Sequence, residues 1–386
     1  MSIDEPLDVP TVDPIERLRE RRSAKWRTHP ADVLPLTVAE TDFNLARPIR
    51  AVLDRALDLS DVGYGVAEPE LGRALADFAG RRWDWTIDPG SVAVATDVST
   101  AVVHVLRLFV RPGDSVVISP PVYAPFPGWV REVDARLVEA PLRYDEADGW
   151  RLDLDALEAA FAGRPAAYLL CNPHNPVGRV HSPEELAALV ELAARYDVTV
   201  VSDEIHAPLV LPGAQFTPLL TVPGAADLAV SLHSASKAWN LAGLKCAAIV
   251  AGSDRMRAAL DELPADLRWR IGHFGVIATV AAYTDGGPWL DLLLADLDAR
   301  RSQLATLLRD NLPSVNWHPP EATFLAWLDC QALGDPSPQE QFLSHGVALE
   351  PGASFGAGGE RHVRLNFGTS ATILEEALTR MAHAAK

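Results

Sequence analysis

The sequence predicts an α/β protein: a mainly parallel seven-stranded sheet with helices on both faces, joined to a smaller α+β C-terminal domain. Three observations point there. Between residues 91 and 250, short apolar and β-branched runs alternate with amphipathic helical stretches, and near-continuous apolar strands belong to a sheet covered on both sides. Beyond residue 250 the rhythm changes to longer helices and then to a compact tail with two more strand patterns. The length, 386 residues, is enough for a large core and more than one domain.

In chain order, residues 1–14 are acidic and proline-bearing and read as an extended arm, followed by a short helix at 15–22. Residues 34–43 read as a short extended segment entering a loop. Helical spacing appears at 47–59 and 69–83, and Gly63-Tyr64-Gly65 between them is a flexible turn that displays an aromatic hydroxyl. Strands are expected at 91–96, 115–119, 136–140, 167–171, 198–202, 228–232 and 246–250, with helices at 99–110, 154–162 and 182–196. Longer helices at 256–263, 272–283 and 288–311 follow, then strands near 323–328 and 362–367 and a last helix at 371–384. The expected division is an N-terminal arm with part of the small domain at 1–45, a large domain at 46–285 and a small domain at 286–386.

The bulk properties exclude several classes of function. A net charge of -18 and the lack of any basic stripe argue against a nucleic-acid groove. Cys171, Cys246 and Cys330 are odd in number and widely spaced, which supports neither a disulfide framework nor a zinc site. No apolar run reaches membrane-spanning length, and residues 1–14 lack the basic and apolar regions of a signal peptide. A soluble cytoplasmic protein is expected.

Of the 34 Lys+Arg, four are lysines: Lys25, Lys237, Lys245 and Lys386. Arginine can supply surface charge but no nucleophilic amine, whereas a buried ammonium can be tuned to lose its proton. Lys25 and Lys386, near the chain ends, read as solvated charge. Lys237 and Lys245 share the polar stretch 234–245, which follows an apolar run at 227–232.

Further polar clusters follow predicted strands, where ligands of open parallel sheets sit. Thr96-Asp97-Val98-Ser99-Thr100 opens a helix, so it reads as a helix cap or, through its free N–H groups, as a phosphate cradle. In Ser119-Pro120-Pro121-Val122-Tyr123 two prolines restrict Tyr123, whose face could stack on a ring. Asn172-Pro173-His174-Asn175-Pro176-Val177-Gly178 is a rigid loop that aims amides, suited to a ring oxygen, and His174 reads as a loop residue rather than a metal ligand. Asp203 ends an apolar strand, where a carboxylate needs a positive partner such as a protonated pyridine nitrogen. Its neighbour Glu204 reads as a helix cap or a surface carboxylate. Together these clusters describe a site for a phosphorylated aromatic aldehyde.

Asn-Pro-x-Asn-Pro-x-Gly, then Asp-Glu, then Ser-x-Ser-Lys, in this order, resembles the fold-type-I pyridoxal-phosphate enzymes of the class I/II aminotransferase superfamily. The resemblance spans roughly residues 33–367. Val38-Ala39-Glu40-Thr41-Asp42-Phe43, Asp203-Glu204-Ile205-His206 and Asn240-Leu241-Ala242-Gly243-Leu244 are similar to the MalY/PatB subgroup of cystathionine β-lyase-like C–S lyases. The resemblance implies pyridoxal 5′-phosphate as cofactor. Lys237 would bind it covalently and shuttle the proton, Asp203 would pair with the ring nitrogen, Tyr123 would stack on the ring and Asn175 would bond the phenolic oxygen. Val98, Ser99, Ser234, Ser236 and Lys245 would surround the phosphate. Tyr64 would reach that phosphate from a neighbouring subunit, implying a homodimer with shared sites, and Arg364 would clamp the substrate's α-carboxylate.

Some positions depart from the wider pattern. His206 stands where most aminotransferases carry a tyrosine against the phenolic oxygen, which favours the C–S lyase subgroup. Asp97 replaces a usual glycine beside the phosphate, so that either it points away or the loop differs. Lys245 replaces a usual arginine, and Thr37 and Thr41 replace a tryptophan and a methionine of the subgroup's entry segment. Gly352-Ala353-Ser354-Phe355-Gly356 matches a hydrolase nucleophile pattern but lacks the helix that should follow. The implied activity is β-lysis of an S-substituted cysteine such as cystathionine. An aminotransferase shares the early steps and is the alternative, and a non-catalytic regulatory protein is a third reading.

Overall fold

The computed structural model describes residues 8–66 and 69–385. The first seven residues of the expected arm, and Lys386, lie outside the described residues. The central sheet is built from β1 (Val92–Ala95), β2 (Ser115–Ile118), β3 (Arg136–Glu139), β4 (Ala167–Cys171), β5 (Thr199–Asp203), β6 (Ala229–His233) and β7 (Ala247–Ala251). Their order across the sheet is β1-β7-β6-β5-β4-β2-β3. From β2 to β6 every pairing is parallel, while β7 runs antiparallel to both β6 and β1.

Alternation along the strands divides the interior into two cores. Tyr168, Leu170 and Val200 face one, with helices Glu70–Trp83, Pro183–Tyr196 and His273–Asp285 packed on that side. Leu169, Cys171 and Val201 face the other, under helices Val98–Phe109, Phe126–Glu132 and Asp254–Leu260. Both faces are therefore covered, which is why β4 and β6 are buried at every position.

Helix starts follow local chemistry. Ser182 and Glu185 form a capping box with Pro183 in the first turn of Pro183–Tyr196. Asp97 caps Val98–Phe109, accepting from the Thr100 N–H at 2.8 Å. Gly178 closes the Asn-Pro loop at φ 69°, and a Cβ there would collide with Pro320.

Toward the C-terminus, Asn316–Trp317, Leu325–Asp329, His362–Asn366 and Glu350–Pro351 form a four-stranded antiparallel sheet. The short strand Leu34–Pro35 pairs in parallel with Val347–Ala348, so an early segment of the chain joins its far end. The long helices fall close to expectation, at Gly287–Asn311 and Ala371–Ala384, whereas the first expected helix stops at Leu18. Helices Phe126–Glu132 and Pro338–Ser344 and the hairpin Arg143–Asp145/Gly149–Arg151 have no counterpart in the sequence reading. Each is too short for its periodicity to stand out. Among the described residues no helix is long and apolar enough to cross a membrane.

Candidate active site

Five strand-to-loop transitions meet at one edge of the central sheet. β5 ends on Asp203, β4 hands over to the Asn-Pro loop, β2 to Ser119 and Tyr123, β1 to Asp97 and the helix after it, and β6 to the lysine-bearing stretch. Because β7 is antiparallel, it begins at this same edge and brings Lys245 and Cys246 back to it. The cavity between them is lined by Ala39, Asp97, Val98, Ser99, Tyr123, Trp129, Cys171, Asn175, Asp203, Ile205, His206, Ser234, Ser236, Lys237, Ala242, Lys245 and Cys246. Ten of the residues singled out from the sequence are thus together: Val98, Ser99, Tyr123, Asn175, Asp203, His206, Ser234, Ser236, Lys237 and Lys245.

Lys237 is partly exposed within the cavity and donates to the Ala39 carbonyl at 3.0 Å. Removal from bulk water, followed by the nearby Arg364 guanidinium, lowers its pKa to about 8. Asp203 is buried, and burial raises its carboxyl to about 6 against the opposing effects of the Ile205 N–H, 3.1 Å away, and the Lys237 charge. Arg364, also buried, donates to Asn175 Oδ1 at 3.1 Å and to the Thr37 carbonyl at 2.9 Å, with its guanidinium 4.9 Å from the Phe355 ring centre. Desolvation lowers it to about 10, so it remains a cation at neutral pH. Phe355 comes from the nucleophile-like Gly352–Gly356 motif, whose Ser354 hydroxyl donates to the Pro351 carbonyl. That motif is a supporting loop for Arg364.

Residues 37–43 cross the site as a strap. Besides Thr37 and Ala39, its carbonyls at Val38 and Glu40 accept from Asn366 Nδ2 at 2.6 and 2.7 Å, and Asn240 pairs with both backbone groups of Thr41 at 3.1 and 3.0 Å. Beneath it lies a correction to the sequence reading. Lys25 is not solvated; it is 1% exposed, ion-paired with Asp42 at 2.8 Å and bonded to the Glu40 carbonyl at 3.1 Å. Trp26 Nε1 donates to the other Asp42 oxygen at 3.0 Å.

Glu204 is a second correction. It is neither a helix cap nor a surface group but fully buried, accepting from Ser202 Oγ and the Leu219 N–H, each at 2.9 Å, and from Asn172 Nδ2 at 3.4 Å. Burial pushes its carboxyl up to about 8, and His233, 3.4 Å away, is held neutral by burial at about 3. His174 is a loop residue as read, its Nε2 against the Pro121 carbonyl at 2.9 Å.

At the other end of the cavity Asp97 does not point away. Its Oδ2 takes Lys245 Nζ at 2.9 Å while its Oδ1 caps the helix. Ser234 Oγ donates to the Cys246 carbonyl at 2.7 Å and accepts from the Ser236 N–H at 3.2 Å. Tyr64 stands apart from the cavity, 82% exposed and edge-on to Trp269. Trp129, Ile205 and Cys171 line the wall without having been assigned a role in the site. Trp129 stands on the unforeseen helix Phe126–Glu132 and packs edge-on to Tyr123.

The residues present fit pyridoxal 5′-phosphate. A buried carboxylate whose pKa is raised by burial wants a cationic partner. His206 Nδ1 is buried without a hydrogen-bond partner, and burial keeps that ring neutral, at about 3. Hydroxyls, a lysine and the start of a twelve-residue helix gather at one end, as a phosphate requires. Tyr123, Trp129 and Ile205 give the remainder an apolar, aromatic wall.

Comparison with known proteins identifies the family. The family model for aminotransferase class I and II matches residues 31–381. A Mycobacterium tuberculosis protein provisionally named a cystathionine beta-lyase is 46% identical, the match covering 98% of each chain. The cystathionine beta-lyase PatB of Bacillus subtilis is 37% identical over 91% of this chain and 92% of its own. A Corynebacterium diphtheriae structure, provisionally described as a PLP-dependent beta-cystathionase, superposes with a TM-score of 0.92 at 33% identity, covering 97% of this chain and 99% of that one. The protein belongs to the class I and II aminotransferase family.

Proposed function

We propose that this protein is a pyridoxal 5′-phosphate-dependent C–S β-lyase that cleaves cystathionine or another S-substituted cysteine to a thiol, pyruvate and ammonia. The observation that carries the reading is the gathering of Lys237 and Asp203 in one cavity, with Arg364 joined to it through Asn175. Relatives of matching length that are named cystathionine beta-lyases support it.

When bound, the cofactor supplies an electron sink that acidifies the α-proton of an amino acid and lets a β-substituent leave. Val98, Ser99, Ser234, Ser236 and Lys245 would hold its phosphate, Tyr123 its ring, Asn175 and His206 its phenolic oxygen and Asp203 its ring nitrogen. Asp203 holds a proton on that nitrogen, because a cation beside it relieves the cost of the buried carboxylate. With a pKa near 8, Lys237 has an accessible neutral amine and removes the α-proton as general base. Arg364 grips the α-carboxylate, its plane fixed by Asn175 and the Thr37 carbonyl.

The same groups would serve an aminotransferase, and one assay separates the two. The purified protein is given cystathionine while thiol and pyruvate are followed, and in parallel an amino acid with 2-oxoglutarate. Pyruvate release with no keto acid added is expected, and turnover that depends on the acceptor would instead assign an aminotransferase. Silence in both with cofactor bound would assign the non-catalytic role. Replacing Lys237 by Ala should lower turnover by about a thousandfold or more and abolish borohydride-trapped attachment of the cofactor to the chain, read by mass spectrometry.

The reading extends to a homodimer whose Tyr64 reaches the partner's phosphate site, supported by the exposed apolar side chains Leu57, Leu59, Val62 and Val66 on the same stretch of chain and by exposed Trp269, which packs edge-on to Tyr64. Three unpaired, buried cysteines support a reducing, cytoplasmic setting. The division into a large domain at 46–285 and a small one at 286–386 that shares residues 1–45 is supported by the pairing of Leu34–Pro35 with Val347–Ala348.

A further inference from the structure

We infer that Asp97 is a charge latch on Lys245, an anion built into the phosphate end of the cavity that competes with the cofactor's phosphate and loosens its grip. The inference rests on the proposed cofactor and concerns how firmly this chain holds it.

Lys245 Nζ lies 2.9 Å from Asp97 Oδ2, and both residues line the cavity with Ser99, Ser234 and Ser236. The pair is partly open to solvent, with side chains 51% and 32% exposed, so an incoming anion can reach it. Asp97 is also tethered. Its Oδ1 accepts from the Thr100 N–H at 2.8 Å and caps a twelve-residue helix, so the carboxylate cannot swing away without uncapping it. Although partial burial pushes the other way, the Thr100 N–H and Lys245 hold the Asp97 carboxyl below its ordinary value, so it is ionised at neutral pH. A phosphate arriving at the helix start therefore takes Lys245 from Asp97 and is left facing a fixed carboxylate. The helix terminus and the serine hydroxyls favour the phosphate, while Asp97 opposes it and cancels the single lysine in the local charge count. The expected consequence is a cofactor that exchanges more readily than hydroxyls, helix and lysine alone would allow.

The test measures the affinity of cofactor-free protein for pyridoxal 5′-phosphate and for pyridoxal, which lacks the phosphate, by quenching of tryptophan fluorescence. Asp97→Asn keeps an oxygen to cap the helix and removes the charge. It should bind pyridoxal 5′-phosphate tighter by on the order of tenfold, leave pyridoxal unchanged and make inorganic phosphate a stronger competitor. Asp97→Ser, a second cap-preserving change, should move affinity the same way, and matching circular dichroism would establish that both variants fold. Equal or weaker pyridoxal phosphate binding by the folded variants overturns the latch, as does an equal change for pyridoxal. If the wild-type chain binds no pyridoxal phosphate at all, the cofactor assignment falls and takes the latch with it, a result distinguishable from either of the others.

Discussion

Glu204 holds a proton that an exposed glutamate would have given up. It lies directly behind Asp203, and its acceptor bonds from Ser202, Leu219 and Asn172 do not offset the cost of burying its charge, so its carboxyl sits near 8. The sign of the linkage follows. A carboxyl whose pKa is higher in the folded chain than in the unfolded one stabilises the fold while protonated, and that contribution is lost as the pH rises from about 4 through about 8. Replacing Glu204 by Gln keeps a neutral side chain of the same shape. Between pH 7 and 9, wild-type protein without cofactor should therefore lose on the order of 1 kcal/mol more stability than the Gln variant, measured by urea unfolding at each pH. Parallel pH curves for the two proteins would show that Glu204 titrates elsewhere. At this scale the sequence was uneven. Lys237 was legible because lysine is rare in this chain, and Asp203 because an acid at the end of an apolar strand needs a reason. Glu204 was misread because Asn172, Leu219 and His233, which meet its carboxyl, come from other stretches of the chain.

The strap at residues 37–43 links the reacting groups to the packing beneath them. One side of it accepts from Lys237, Arg364, Asn240 and Asn366, and the other is pinned by the buried Lys25–Asp42 pair. Breaking such a pair strands a buried charge, whereas neutralising both partners does not. Lys25→Met should accordingly destabilise the protein by about 3–5 kcal/mol, and adding Asp42→Asn should recover a substantial part of that loss, both read as shifts in thermal midpoint. If the double variant is no more stable than the single one, the pair does not act as a unit. Element boundaries were legible where a pattern ran long enough to repeat, as in Pro183–Tyr196 with its capping box and in the apolar strands. The reversal of β7 was not, because an apolar run reads the same in either direction. The strap's role was hidden as well, since Lys237, Asn240, Arg364 and Asn366, which bond to it, lie some two to three hundred residues away.

At the scale of the whole molecule, Tyr64 is the residue whose proposed role a single chain cannot fulfil. It was singled out with the phosphate site, yet it stands 82% exposed, on a stretch of chain outside the cavity that also carries the exposed apolar residues Leu57, Leu59, Val62 and Val66. A protein with a net charge of -18 repels its own copies at long range, so pairing of two subunits has to come from apolar contact at short range. If Tyr64 serves the partner's site, each site takes Lys237 from one subunit and Tyr64 from the other. Homodimers of Lys237→Ala are then inactive, and homodimers of Tyr64→Ala are impaired when cofactor is limiting. In a mixed dimer one site receives both substitutions and the other neither. Random reassortment of equal amounts should make half of the dimers mixed, with one native site in each, and so restore about a quarter of wild-type activity under limiting cofactor. Activity equal to the mean of the two parents would instead place Tyr64 and Lys237 in the same subunit's site.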